Sequence, residues 1–133
     1  KISDLASKIC AKQDSKPYDL EERTFQFALS VRLFLRQHKW DPVSWSDVTQ
    51  VLRSSGSVAA NFVEANKSIS LDDKLYRLRL CRKEAKESSL WLRLIEETNP
   101  ATKEQSAIFR KLTQESSELV KILHTILKNK TQG

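Results

Sequence analysis

Proline and glycine are scarce in this chain of 133 residues, with three of the first and two of the second. Proline costs about 3 kcal/mol inside a helix and glycine about 1, so long stretches without either point to long helices. Pro17, Pro42 and Pro100 fall between segments of helical periodicity, Gly133 is the last residue, and only Gly56 lies inside a segment. Cysteine is as rare. Cys10 and Cys81 stand far apart, form no CxxC or Cys/His cluster, and suit a reducing cytoplasm better than a disulfide framework. No apolar run approaches the roughly 20 residues of a membrane span. No secretory signal is legible, although the chain starts at Lys1 rather than Met.

The motifs of catalysis are missing too. There is no nucleophile elbow, no P-loop and no glycine-rich phosphate cradle, so an enzyme is not expected. A di-iron bundle needs Glu-x-x-His from two helices. Here Leu35 stands three residues before His38, and Lys121 three before His124. Neither a metal nor another cofactor is expected, and both histidines read as surface or helix-end residues.

What is present fits a bundle of amphipathic helices. Apolar residues make up 39% and charged ones 30%, which lets each helix keep one wet face. The net charge of +6 favours polyanions such as RNA, DNA or an acidic protein face. A merely solvated basic surface explains the charge equally well.

The punctuation divides the chain into an arm or short helix over residues 1–16, a bundle over 17–129 and a frayed tail over 130–133. In the arm, Ile2, Leu5 and Ile9 have helical spacing before a turn at Gln13–Pro17. The first long helix is expected from Asp19, with Glu22 completing a capping box, to about Lys39. The second runs from Ser44 or Ser46 to Lys67, and the third from a Ser70 cap, with Asp73 at its third position, to Thr98. Asn99-Pro100 stops the third and also supplies a cap followed by proline at the first helical position, and the fourth is expected over roughly Ala101 to Asn129. Loops this short imply an antiparallel up-down-up-down four-helix bundle.

Stripes at steps of three and four mark the core faces. They are Leu75, Leu78, Cys81, Ala85, Ser88, Leu92 and Ile95 on the third helix, and Phe109, Leu112, Ser116, Leu119, Leu123 and Ile126 on the fourth. The first helix carries two. Leu20, Thr24, Phe27, Val31 and Phe34 form one, while Phe25, Leu29 and Leu33 lie on roughly the opposite side at about 100° per residue. A monomer needs one apolar face. The second implies cover by another subunit or by the N-terminal arm, and self-association is the favoured reading.

Three polar groupings stand out. On the second helix, small residues Ser54–Ala60 around Gly56 suit close helix packing, and Arg53, Ser57, Asn61 and Glu64 form a polar stripe. On the third, Glu84 and Glu87 sit among Leu80, Trp91 and Leu94, where unpaired charge is expensive, so Arg53 or a neighbouring subunit's base is their expected partner. These six polar residues are read as a structural network. Arg79, Arg82, Lys83, Lys86 and Arg93 fall within about 100° of arc on the third helix, near Tyr76. Evenly spaced cations on a rigid helix can follow a phosphate backbone, which makes them the candidate nucleic-acid strip; ion pairing on a wet face is the bland alternative.

Three stretches carry a family resemblance: Pro17–Ala28, then Leu52-Arg53-Ser54 through Ser57–Ala65, then Arg82–Glu87 followed by Leu90–Leu94. Their order and spacing resemble the bacterial 23S rRNA intervening-sequence proteins over about residues 17–98. Val63 and Leu90 depart from that pattern, where many members have arginine or alanine and an aromatic residue respectively. The resemblance implies a homopentameric ring of four-helix bundles without an established catalytic site. It also implies a relation to the accessory variability protein of diversity-generating retroelements, a basic pentamer that binds a reverse transcriptase. By that analogy the partners are other copies of the chain, RNA or another nucleic acid, or a protein such as a reverse transcriptase, with no membrane.

Overall fold

The structure, a computed structural model, describes residues 19–132; the expected arm over residues 1–16 and Cys10 lie outside the described residues. It is an all-α bundle of four helices, with no strand among the described residues: α1 (Leu20–Leu35), α2 (Pro42–Lys67), α3 (Leu71–Thr98) and α4 (Lys103–Gln132). No described helix is long and apolar enough to cross a membrane.

The helix ends correct several expectations. Asp19 is the N-cap of α1, but its side chain accepts no capping bond, so the proposed box with Glu22 does not form. The helix stops at Leu35 rather than Lys39, and the Trp40 indole N–H donates to the Leu35 carbonyl across the turn that follows. Pro42 starts α2 rather than preceding it. Asp41 caps that helix by accepting from the Ser44 amide at 2.8 Å, and proline at the first position sacrifices no internal bond. That amide bond also holds the Asp41 carboxyl below its usual range. Ser70 caps α3 by accepting from the Asp73 amide, as the sequence indicates. Asn99 closes α3, and Pro100 is not in α4. The box that starts α4 is Thr102 with Gln105, each side chain bonding the other's backbone amide. Further on, α4 continues to Gln132, past the expected end at Asn129.

Each helix packs against two others: α1 on α2 and α4, and α3 on α2 and α4. All seven residues of the α3 stripe and all five of the first α1 stripe are buried. On α4 the core face is wider, taking in Ile108 and Leu127, while Ile126 is half-buried at its edge. Phe34 meets Phe109 edge-to-face at 4.8 Å between ring centres, tying α1 to α4. Polar contacts fix the register of α2 on α3: Ser44 with Asn99, Ser54 with Ser88 at 2.7 Å, Cys81 with the Val58 carbonyl, and Arg77 with Asn61. Burial pushes the Cys81 thiol up to about 12, so it stays protonated and unreactive.

Gly56 has a specific reason. The Arg32 guanidinium of α1 lies over it, donating to the Leu52 carbonyl at 2.8 Å and to Ser55 Oγ at 3.2 Å. A Cβ on Gly56 would sit 2.9 Å from Arg32 Nη2. The small-residue patch therefore admits an arginine from α1 as well as close helix packing.

Inside the core lies an ion pair. Arg23 of α1 meets Glu115 of α4 through two bonds of 2.7 Å, Nε to Oε2 and Nη2 to Oε1, and Arg23 is 5% exposed. The bond to Glu115 raises the Arg23 pKa further, against the opposing effect of burial.

Candidate nucleic-acid interface

The strip Arg79, Arg82, Lys83, Lys86 and Arg93 follows from the opposite side of α3, whose core residues face inward. Arg79, Lys83, Lys86 and Arg93 are exposed and Arg82 is half-buried. The five are not equivalent. Lys83 stands 4.0 Å from Glu87 one turn away, so part of its charge is met. Arg82 leans the other way, toward α4, and donates through Nη1 to His124 Nδ1 at 3.3 Å.

That contact reveals a site that residue spacing on one helix does not show. Arg79, Arg82, His124, Leu127, Lys128 and Thr131 line one open groove of about 370 Å³ between α3 and α4, and no carboxylate lines it. Two guanidiniums and an ammonium thus converge with a hydroxyl and an imidazole. Such a set offers phosphate oxygens bidentate and point-charge donors together. His124 and Lys128 are absent from the sequence-derived strip because they lie on another helix. The spacing Lys121, His124, Lys128 along α4, all exposed, was the available signal.

The polar residues of α2 and α3 are brought together only in part. Arg53 donates to Glu84 Oε2 at 2.9 Å and to Glu87 Oε1 at 3.4 Å. Glu84 is buried, so its charge rests on that arginine. Asn61 donates to the Ser57 carbonyl and hydroxyl, and accepts from Arg77, a residue that spacing did not single out. Among the described residues the Glu64 side chain takes no part: it is exposed, while the Glu64 carbonyl accepts from Ser68 Oγ. A second hydroxyl link, Ser89 to Ser116 and Ser116 to the Ala85 carbonyl, joins α3 to α4. Of the proposed interface residues, Phe25 is 53% exposed, Leu29 half-buried, and Leu33 packed against the core edge.

His38 stands in the turn that closes α1, a helix-end position, and is half-buried. It packs between Phe34 and Trp40, with Nε2 at 2.8 Å from Gln105 Nε2. Among the described residues no three His, Cys, Asp or Glu side chains gather to hold a metal ion.

Residues 18–125 match the 23S rRNA-intervening sequence protein family. The chain belongs to that family. It is similar to the crystal structure of a protein with unknown function from the S23 ribosomal protein family of Bacteroides thetaiotaomicron VPI-5482. The two are 31% identical with a TM-score of 0.69, and the likeness spans 81% of this chain and 97% of that one. No curated protein matches. The likeness brings a family and a fold, and no assigned activity with them.

Proposed function

We propose that this chain is a non-enzymatic, cytoplasmic protein that binds RNA or another nucleic acid through the basic groove between α3 and α4, as a ring of five copies. The observation that carries the reading is the groove itself: Arg79, Arg82 and Lys128 converge there from two helices without a lining carboxylate. The protomer is an antiparallel up-down-up-down bundle in this reading. In support, contacts from Ser44 to Asn61 on α2 meet Asn99 to Arg77 on α3 in reverse order. Self-association is supported by Phe25, an aromatic ring left half in water.

A second reading is favoured by the apolar neighbours of the strip. Tyr76, Leu90 and Leu94 are exposed on the same side of α3, and mixed apolar and basic surface suits a protein partner such as a reverse transcriptase. Electrophoretic shifts with a structured RNA at rising salt separate the two. Phosphate binding gives a shift near 150 mM salt that weakens steadily above it. A scaffold gives no shift at that salt.

A further inference from the structure

We propose that the segment of residues 1–16 folds back on its own chain and seats Ile2, Leu5 and Ile9 in an apolar groove at the end of the bundle where α1 begins. The inference is independent of nucleic-acid binding and of assembly.

The bundle has one short corner. The first helix has 16 residues, against 26, 28 and 30 in α2, α3 and α4. Contacts between α1 and α4 pass from His38 and Gln105 through Phe34 and Phe109 to Arg23 and Glu115. Continued in that sense they bring Leu20, the first residue of α1, to the groove it shares with Ile122. About ten residues of α4, roughly 15 Å of helix, then run on beyond the start of α1.

The core faces run past that point without cover. Leu71 continues the α3 core stripe toward the helix start, one turn before Leu75, yet it is 55% exposed while Leu75 and Leu78 are buried. On α4, Ile122 and Ile126 are half-buried. With Leu20, Phe62 and Leu78 they line a groove of about 480 Å³ to which all four helices contribute. The Phe25 side of α1 offers less, a single ring beside Ala59, Ala60 and Val63.

What precedes Leu20 in the sequence matches this groove. On a helix, Ile2, Leu5 and Ile9 fall within about 60° of arc, with Asp4 and Ser7 on the far side. That aliphatic ridge is about 10 Å long, and Ile122 to Lys130, which both line the groove, span about 12 Å of α4. The roughly ten residues between Ile9 and Leu20 can reach about 30 Å, so the connection is long enough to turn back. Because Leu20 itself lines the groove, the segment meets it at a far higher effective concentration than any second molecule does. The family match over residues 18–125 leaves out both the segment and the last turns of α4, and in this arrangement the two cover each other.

Hydrogen exchange read by mass spectrometry tests this on the full chain and on the variant Ile2→Asp/Leu5→Asp/Ile9→Asp, with Leu5→Asp alone as a second variant if the first aggregates. A helix this short is marginal in water by itself, so protection of residues 2–9 in the wild type reports docking. Those amides should exchange at least about tenfold more slowly than in the unfolded chain. In the variant, α4 from Ile122 to Lys130 should exchange on the order of tenfold faster than in the wild type, while the amides around Leu112 stay unchanged. Ile126→Asp should release residues 2–9 in turn. Unprotected residues 2–9 in the wild type, or an unaltered end of α4 in the variant, would overturn the proposal. Faster exchange confined to the Phe25 side of α1 would put the segment on that face, and exchange at residues 2–9 that quickens on dilution would put it on another copy. Either result overturns docking in this groove of the same chain.

Discussion

Replacing Glu115 by alanine should destabilise the fold by about 3–5 kcal/mol, the range for removing one partner of a buried ion pair. The magnitude follows from what is left behind. Arg23 keeps its charge at any accessible pH, and it lies against the core of α1 and α4 with both bonds to the missing carboxylate. The remaining carboxylate nearby, Glu118, stands at 3.8 Å and is largely in water, so it replaces little of the bidentate contact. Thermal denaturation should show a fall in Tm of about 10 °C or more, taking a few degrees per kcal/mol for a chain of this size. The double variant Arg23→Met/Glu115→Leu should recover most of that loss, because removing both charges removes the desolvation cost with them. A single-variant loss below about 1 kcal/mol would mean that water or Glu118 already satisfies the arginine.

Replacing Arg79, Arg82 and Lys128 together by alanine should weaken RNA binding on the order of a hundredfold at 0.1 M salt. Each phosphate contact contributes about 0.7–0.9 to the slope of log affinity against log salt, so each is worth about five- to eightfold between 1 M and 0.1 M. Three contacts multiply to that figure, and the slope should flatten by about two to three units. The wild-type and variant lines should therefore converge near 1 M salt. All three side chains are at the groove surface, so helicity and Tm should hardly change. A parallel shift of the two lines, with the slope unaltered, would show that the groove acts through something other than its charge.

The core was legible because periodicity reports it directly. The α3 stripe from Leu75 to Ile95 and the α1 stripe from Leu20 to Phe34 are buried residue for residue. The ion pair between α1 and α4 was within reach as well. Arg23 lies three residues after Leu20 and four before Phe27, and Glu115 stands in the same relation to Leu112 and Leu119. Opposite charges at equivalent positions of two apolar stripes must meet or be excluded. The helix ends were harder. Proline at position 42 fits both a break before a helix and its first residue, and only the Asp41 cap distinguishes them. The groove was the least legible, because Arg82 and His124 are 42 residues apart and one-helix periodicity says nothing about which faces of two helices adjoin. For the same reason Arg32 over Gly56 could not be read from either helix alone.

The most direct measurement is photo-cross-linking of the wild-type protein to a structured RNA carrying 4-thiouridine, followed by mass spectrometry of the modified peptides. We expect adducts on α3 between Arg79 and Arg93 and on α4 between Lys121 and Thr131, lost as salt rises. Adducts confined to α1 and α2, or an equal pattern at low and high salt, would contradict a phosphate site between α3 and α4.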